Sequence, residues 1–415
     1  MANGGCASKM VRSTVSASTR STCMAPVVLT SAAADSCRPL PQRMPALDGV
    51  RGLAILLVVM HNFSLLSEPH GVGASLLAAW LDRGWVGVQL FFVLSGFLIT
   101  GILLDTRTSS NYFSAFFGRR VLRIWPLYYA TLLVMFVVLP MLHVWPGVSL
   151  RDQPHELWLT VYLSNWVEPF YPRNSLPHFW SLAVEEQFYV VWPFLVYRCN
   201  ARQVLKASLA IAVVALAIRY ALLSAALPAD AVYKFSVCRM DALALGAAAA
   251  AALRLPAWRD RLLGRPVQLL WACAAVLLVG AALSHAYVAY GLVPQTLGYT
   301  FLAIGFSSLV LAAACADISG AAGWPALLRG TVLRRLGLYS YAMYVLHVPL
   351  REVIGLPVLR ALGFESHSDL MTTLVYVALG TVASYAVAAA SYHCFEVHFL
   401  RLKRHFEPAH GQEVS

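Results

Sequence analysis

Residues 85–104 read WVGVQLFFVLSGFLITGILL, a run without one charged side chain. At ~1.5 Å per residue, a helix of about 20 residues crosses a hydrocarbon core of ~30 Å. Runs of the same kind recur along the chain. Ten are placed, at 47–66, 85–104, 121–143, 180–198, 204–226, 236–254, 267–287, 294–316, 337–357 and 371–394. Composition agrees with them. Of 415 residues, 59% are hydrophobic and 12% charged, and the mean hydropathy is +0.65. Soluble domains hold roughly 45–50% apolar and about 25% charged residues. This chain has too little polar surface to cover itself in water. A soluble enzyme, a disordered protein and a nucleic-acid binder with a basic face are excluded. The predicted fold is an all-α polytopic membrane protein of about ten transmembrane helices.

Two shorter amphipathic stretches, 72–82 and 156–168, read as interfacial or re-entrant pieces. Residues 1–43 are rich in Ser, Thr and Ala and lack a helical apolar period. Met24–Ala34 is too short and polar for a secretory signal. The segment is predicted to be a disordered cytoplasmic tail, with Met24 and Met44 as further candidate starts. The transmembrane domain is then 44–397, followed by a cytoplasmic tail at 398–415. The eight cysteines show neither CxxC nor Cys/His spacing, so no disulfide framework and no metal site is expected.

The net charge of +11 reports topology. With the N-terminus cytoplasmic, seventeen Lys and Arg fall in the later inner loops and C-tail, against seven outside. Every inner loop agrees, which predicts both termini inside. No internal repeat of the transporter type is evident.

Ionisable groups within spans are costly and mark function. His61 lies about 21 Å into its span, and Glu185, Glu186, Asp241 and Gln89 about 6–8 Å below the outer surface. These groups define one expected layer, with His347 near mid-depth. On the inner side, Arg51, Arg119, Arg120 and Arg123 form a cationic site suited to phosphates. Glu185 and Glu186 stand ~100° apart on a helix, so one faces the site and the other pairs elsewhere. Ser95, beside Gly96, reads as a small packing residue.

The chain resembles the integral-membrane acyltransferase 3 family. The likeness rests on LDGVRGLAILLVVMHNF (47–63), GWVGVQLFFVLSGFLIT (84–100), FFGRRVLRIWPLYY (116–129), HFWSLAVEEQFYVVWP (178–193), CRMDALALG (238–246) and LGLYSYAMYVLHVPL (336–350), with SYHCFE (391–396) as a closing motif. It implies an acyl-CoA donor, most often acetyl-CoA, used as co-substrate with no bound cofactor. It also implies a hydroxyl acceptor on a carbohydrate or similar molecule, and roles for Arg51, His61, Arg120 and Arg123. Two departures fall within the spans. Nine residues separate Arg51 from His61 where the family has ten, and Gln89 replaces a common Asp. Ten helical steps leave His61 ~80° from Arg51.

The expected mechanism places donor phosphates on Arg119, Arg120, Arg123 and Arg51. His61 is the general base and Glu185 or Glu186 its orienting partner. Gln89, Ser181, Tyr189, Asp241, Tyr341 and His347 are candidate lining residues. Transfer is expected to be direct, because neither GxSxG nor HxxxxD is present. The partners are acyl-CoA, the bilayer and a lipid-linked saccharide reached from outside a bacterial inner membrane. A proton-coupled transporter or flippase is the competing class.

Overall fold

The computed structural model describes residues 43–65, 71–143, 153–171, 174–364 and 370–409. The expected N-terminal tail, Arg151 and Arg173 lie outside the described residues. Among the described residues there are ten long helices: α1 Pro45–Asn62, α2 Val86–Asp105, α3 Tyr112–Leu133, α4 Trp180–Arg198, α5 Ala201–Ser224, α6 Ser236–Ala252, α7 Pro266–Leu283, α8 Tyr299–Ser319, α9 Thr331–Leu350 and α10 Leu370–Ser391. Each overlaps one expected span, and the described residues contain no strand. The chain is an all-α polytopic membrane protein. Among the described residues, eight helical segments are long and apolar enough to cross a membrane. The other two are α1 and α4, which hold Asp48, Arg51 and His61, and Glu185 and Glu186.

The two short stretches are helical. Val72–Asp82 is helical, exposes Val72, Leu76 and Trp80, and leads through a 3₁₀ turn into α2. Pro154–Val161 and Ser164–Val167 are short helical turns.

Helices α2, α6 and α8 form the buried centre. Helices α5 and α7 are peripheral and turn Val213, Val214, Trp271 and Leu278 outward. Such apolar exposure suits lipid, which has no water to satisfy polar groups.

Small residues set the closest crossings. Gly96 on α2 meets the Leu243 carbonyl of α6, and Gly246 meets the Val93 carbonyl. Any Cβ at Gly96 would overlap backbone, which cannot yield as a flexible side chain does. Gly96→Val is therefore expected to abolish recovery of monodisperse protein in detergent. Gly73→Val, at a position with open space, should leave it unchanged. Size-exclusion chromatography checks both.

Polar clamps fix the start of α1 and the joint of α2 with α6. The Asp317 carboxylate accepts from the Ala46 backbone N–H at 2.8 Å and from Arg329 at 2.8 Å. It satisfies an otherwise orphaned donor in the first turn of α1 and complements the helix dipole. Asp105 accepts two bonds from Arg254, at 2.7 and 2.6 Å. The end of the bundle where α1 and α3 begin is its basic end.

Candidate active site

The basic cluster sits deeper than its place in the sequence implied. Helix α3 begins at Tyr112, so Arg119, Arg120 and Arg123 lie two to three turns inside it. Successive offsets of one and three residues turn them toward α1, α4 and α9. Arg51 comes from the second turn of α1, whose start is clamped by Asp317.

These cations line one cavity of about 540 Å³. Arg51, Arg119, Arg120, Arg123 and Lys403 occupy one part of its wall. Ser95, Ser181, Glu185, Tyr189, Tyr341 and Tyr344 are also in the lining. The Arg120 guanidinium stands over the Tyr189 ring at 5.7 Å, and Arg123 over Tyr341 at 5.7 Å. Counter-charges are few. Asp48 approaches Arg51 at 3.5 Å, and Glu396 approaches Arg123 at 4.0 Å.

Beyond the cations is a short hydrogen-bonded chain. The Ser95 hydroxyl donates to Glu185 Oε1 at 2.6 Å, and the Tyr189 hydroxyl donates to Ser95 Oγ at 3.1 Å. Glu185 and Tyr189 share a face of α4 four residues apart, which directs both at Ser95 of α2. Gly96 holds α2 against α6, so the adjacent Ser95 projects toward α4 instead. Farther along the lining, the Ser181 and Tyr344 hydroxyls meet at 2.5 Å. Both hydroxyls also reach the His178 carbonyl, at 3.2 and 3.0 Å.

The structure divides the expected site residues. It joins Arg51, Arg119, Arg120, Arg123, Glu185, Ser181, Tyr189 and Tyr341 around one space. Glu186, one residue on from Glu185, turns instead toward Trp125. Four others stand apart from this cavity. His61 places Nδ1 3.0 Å from the Leu81 carbonyl. His347 is fully buried, with Nδ1 against carbonyls of its own helix and its ring 5.0 Å from that of His178. Gln89 donates to the Tyr299 carbonyl at 3.3 Å. Asp241 pairs with Arg219 at 2.8 Å, both side chains wholly buried.

The expected layer is thus divided between the cavity lining and its surroundings. Similar depth along separate helices does not bring side chains together, because each helix also has a rotational phase. For Asp241 the competing partner was Arg219, inside a span. Asp241→Ala would leave the Arg219 charge without its counter-ion, held only by hydrogen bonds to Cys238, Thr296 and Thr300, and breaking a buried pair costs ~3–5 kcal/mol. A thermal-unfolding midpoint well below wild type is expected, with much of the loss recovered by adding Arg219→Met.

Ser95, read as packing, is a hydrogen-bonded member of the site. Its sequence neighbour Gly96 gave the misleading cue. Lys403 was assigned to the tail. The chain continues beyond α10 through a π-helical turn at Tyr392–Glu396 and helical turns to Phe406. This segment docks on α3. The Phe406 ring covers Gly118, and Asn111 bonds both the Glu407 carbonyl and the Ala409 N–H at 2.8 Å. The Arg/Lys-rich HFLRLKRHF pattern at 398–406 was the only sequence signal for it.

A profile described as an acyltransferase domain matches residues 44–393, nearly the whole helical bundle. The chain belongs to the acyltransferase 3 family. Family membership sets aside the transporter class. Among the relatives, "O-acetyltransferase OatA" of Staphylococcus aureus (strain NCTC 8325 / PS 47) is 30% identical over 191 residues. That stretch is 42% of this chain and 29% of the relative. "Peptidoglycan O-acetyltransferase OatA" of Listeria monocytogenes is 31% identical over 179 residues, covering 39% of this chain and 26% of the relative. The chain therefore matches less than a third of either relative's length. No solved structure matches it.

Proposed function

We propose that this acyltransferase 3 chain moves an acyl group, acetyl by preference, from acyl-CoA to a hydroxyl of a saccharide acceptor. The observation that carries the reading is the single cavity joining five cationic side chains to the Glu185–Ser95–Tyr189 chain. A CoA thioester has this polarity: several phosphate charges at one end and a reactive carbonyl at the other. Arg119, Arg120, Arg123, Arg51 and Lys403 hold the phosphates through charge-assisted hydrogen bonds. Arg120 and Arg123 also lie over rings, which fixes the guanidinium planes.

The pantetheine arm then runs along Phe91, Phe92 and Leu182 toward Glu185. Glu185 takes up the proton released when a hydroxyl attacks the thioester carbonyl. Charge developing on the carbonyl oxygen is stabilised by the field of the nearby Arg120 guanidinium. His61 enters this reading on the acceptor side, away from the thioester. The saccharide approaches from the end opposite the cations, and the basic end faces the cytoplasm of a bacterial inner membrane. The L. monocytogenes relative is named for peptidoglycan, which supports a polysaccharide acceptor.

Purified protein in nanodiscs, given radiolabelled acetyl-CoA and muropeptide or oligosaccharide acceptors, tests the reading. Free CoA and an alkali-labile sugar ester are expected in equal amounts. Acetyl-CoA that neither binds nor turns over would reject it.

A further inference from the structure

We infer that Ser95 carries the acyl group between donor and acceptor, as a transient ester on its Oγ; the inference rests on the acyl-CoA reading above. Three observations converge on it. Ser95 Oγ donates to a carboxylate at 2.6 Å, within the range that marks a nucleophile with its base. Tyr189 donates to the same oxygen at 3.1 Å, where it steadies negative charge as the oxygen departs. Both Ser95 and Glu185 line the cavity that also holds the cations.

The layout also favours a carrier over the direct transfer expected from the absence of GxSxG and HxxxxD motifs. In the proposed reading the donor comes from the basic end and the acceptor from the opposite one. The lining also holds the paired Ser181 and Tyr344 hydroxyls. A covalent stop lets CoA leave before the saccharide arrives.

The chemistry balances with groups present in the cavity. Ser95 Oγ attacks the thioester carbon as its proton passes to Glu185. The C–S bond breaks, and the CoA sulfur takes that proton and leaves as the thiol. The acceptor hydroxyl then attacks the Ser95 ester, giving its proton to Glu185. The C–O bond to Ser95 breaks, and Ser95 recovers the proton. No oxidant, reductant or further co-substrate is needed.

The test is a single-turnover reaction of the full chain with radiolabelled acetyl-CoA and no acceptor, quenched in acid and mapped by peptide mass spectrometry. Acetyl is expected on the peptide containing Ser95, with one CoA released per label, and a muropeptide acceptor should chase it off. Ser95→Ala should remove the label and lower transfer at least 100-fold, with an unfolding midpoint near wild type. Ser95→Cys should hold the label as a thioester. Sugar ester formed without label at Ser95, or Ser95→Ala transferring within threefold of wild type, would overturn the inference and leave the acyl-CoA reading standing. Loss of CoA release and sugar ester in the wild type itself would overturn both.

Discussion

Glu185→Gln is expected to lower acyl transfer by roughly 10²–10⁴-fold, the range supplied by a positioned acid–base group. The amide keeps the shape of the side chain and an oxygen to accept from Ser95, so packing in α4 should hold. Only proton uptake is lost. CoA affinity, read by calorimetry, should stay within about twofold of wild type, because the cations are untouched. The unfolding midpoint should also be unchanged. Glu186→Gln is the control, since its carboxylate turns toward Trp125, away from the Ser95 chain. Equal losses in the two variants would remove Glu185 from the chemistry.

The second large effect lies at the cations of the same cavity. Replacing Arg120 and Arg123 together by Ala should weaken CoA binding by about 100-fold or more. Each charge-assisted hydrogen bond contributes ~1.5–3 kcal/mol, and a tenfold change corresponds to about 1.4 kcal/mol. Wild-type affinity should fall with rising salt, and the double variant should show a shallower slope. Lys403→Ala should weaken binding in the same direction by a smaller factor, because Lys403 is one half-buried cation among five. Asn111→Ala should reproduce part of the Lys403 effect by releasing the C-terminal clamp. An unaltered affinity in the Arg120/Arg123 variant would place the phosphates elsewhere.

The fold was legible because lipid leaves a chain few choices. Backbone groups must be satisfied within each span, so ten apolar runs become ten helices. The boundaries were less legible. FFGRR at 116–120 reads as an inner loop by charge, yet α3 already starts at Tyr112. Arginines a few turns inside a helix are tolerated there because they face a cavity and not the acyl chains.

The site was legible where a residue had no other partner. Glu185 and the Arg pair are the examples. Gln89 and Asp241 have the same polar character, but the Tyr299 carbonyl and Arg219 claim them. Those partners come from other helices, and packing choices between helices are not written in hydropathy. The spacing of Arg51 and His61 did carry information. Ten steps separate their directions by ~80°, and Arg51 lines the cavity where His61 does not. Ser95 needed the structure, since a serine beside a glycine in an apolar span looks the same whether it packs or reacts.

One cavity serving both the donor phosphates and the Glu185–Ser95 pair is the core of this account. A cryo-electron microscopy map of the full chain in nanodiscs with CoA addresses it directly. The expected density has phosphates within hydrogen-bonding distance of Arg120, Arg123 and Lys403, with the pantetheine arm running inward and the sulfur beside Ser95 and Glu185. CoA bound with its phosphates away from Arg120 and Arg123, or its sulfur directed away from Glu185, would contradict the account.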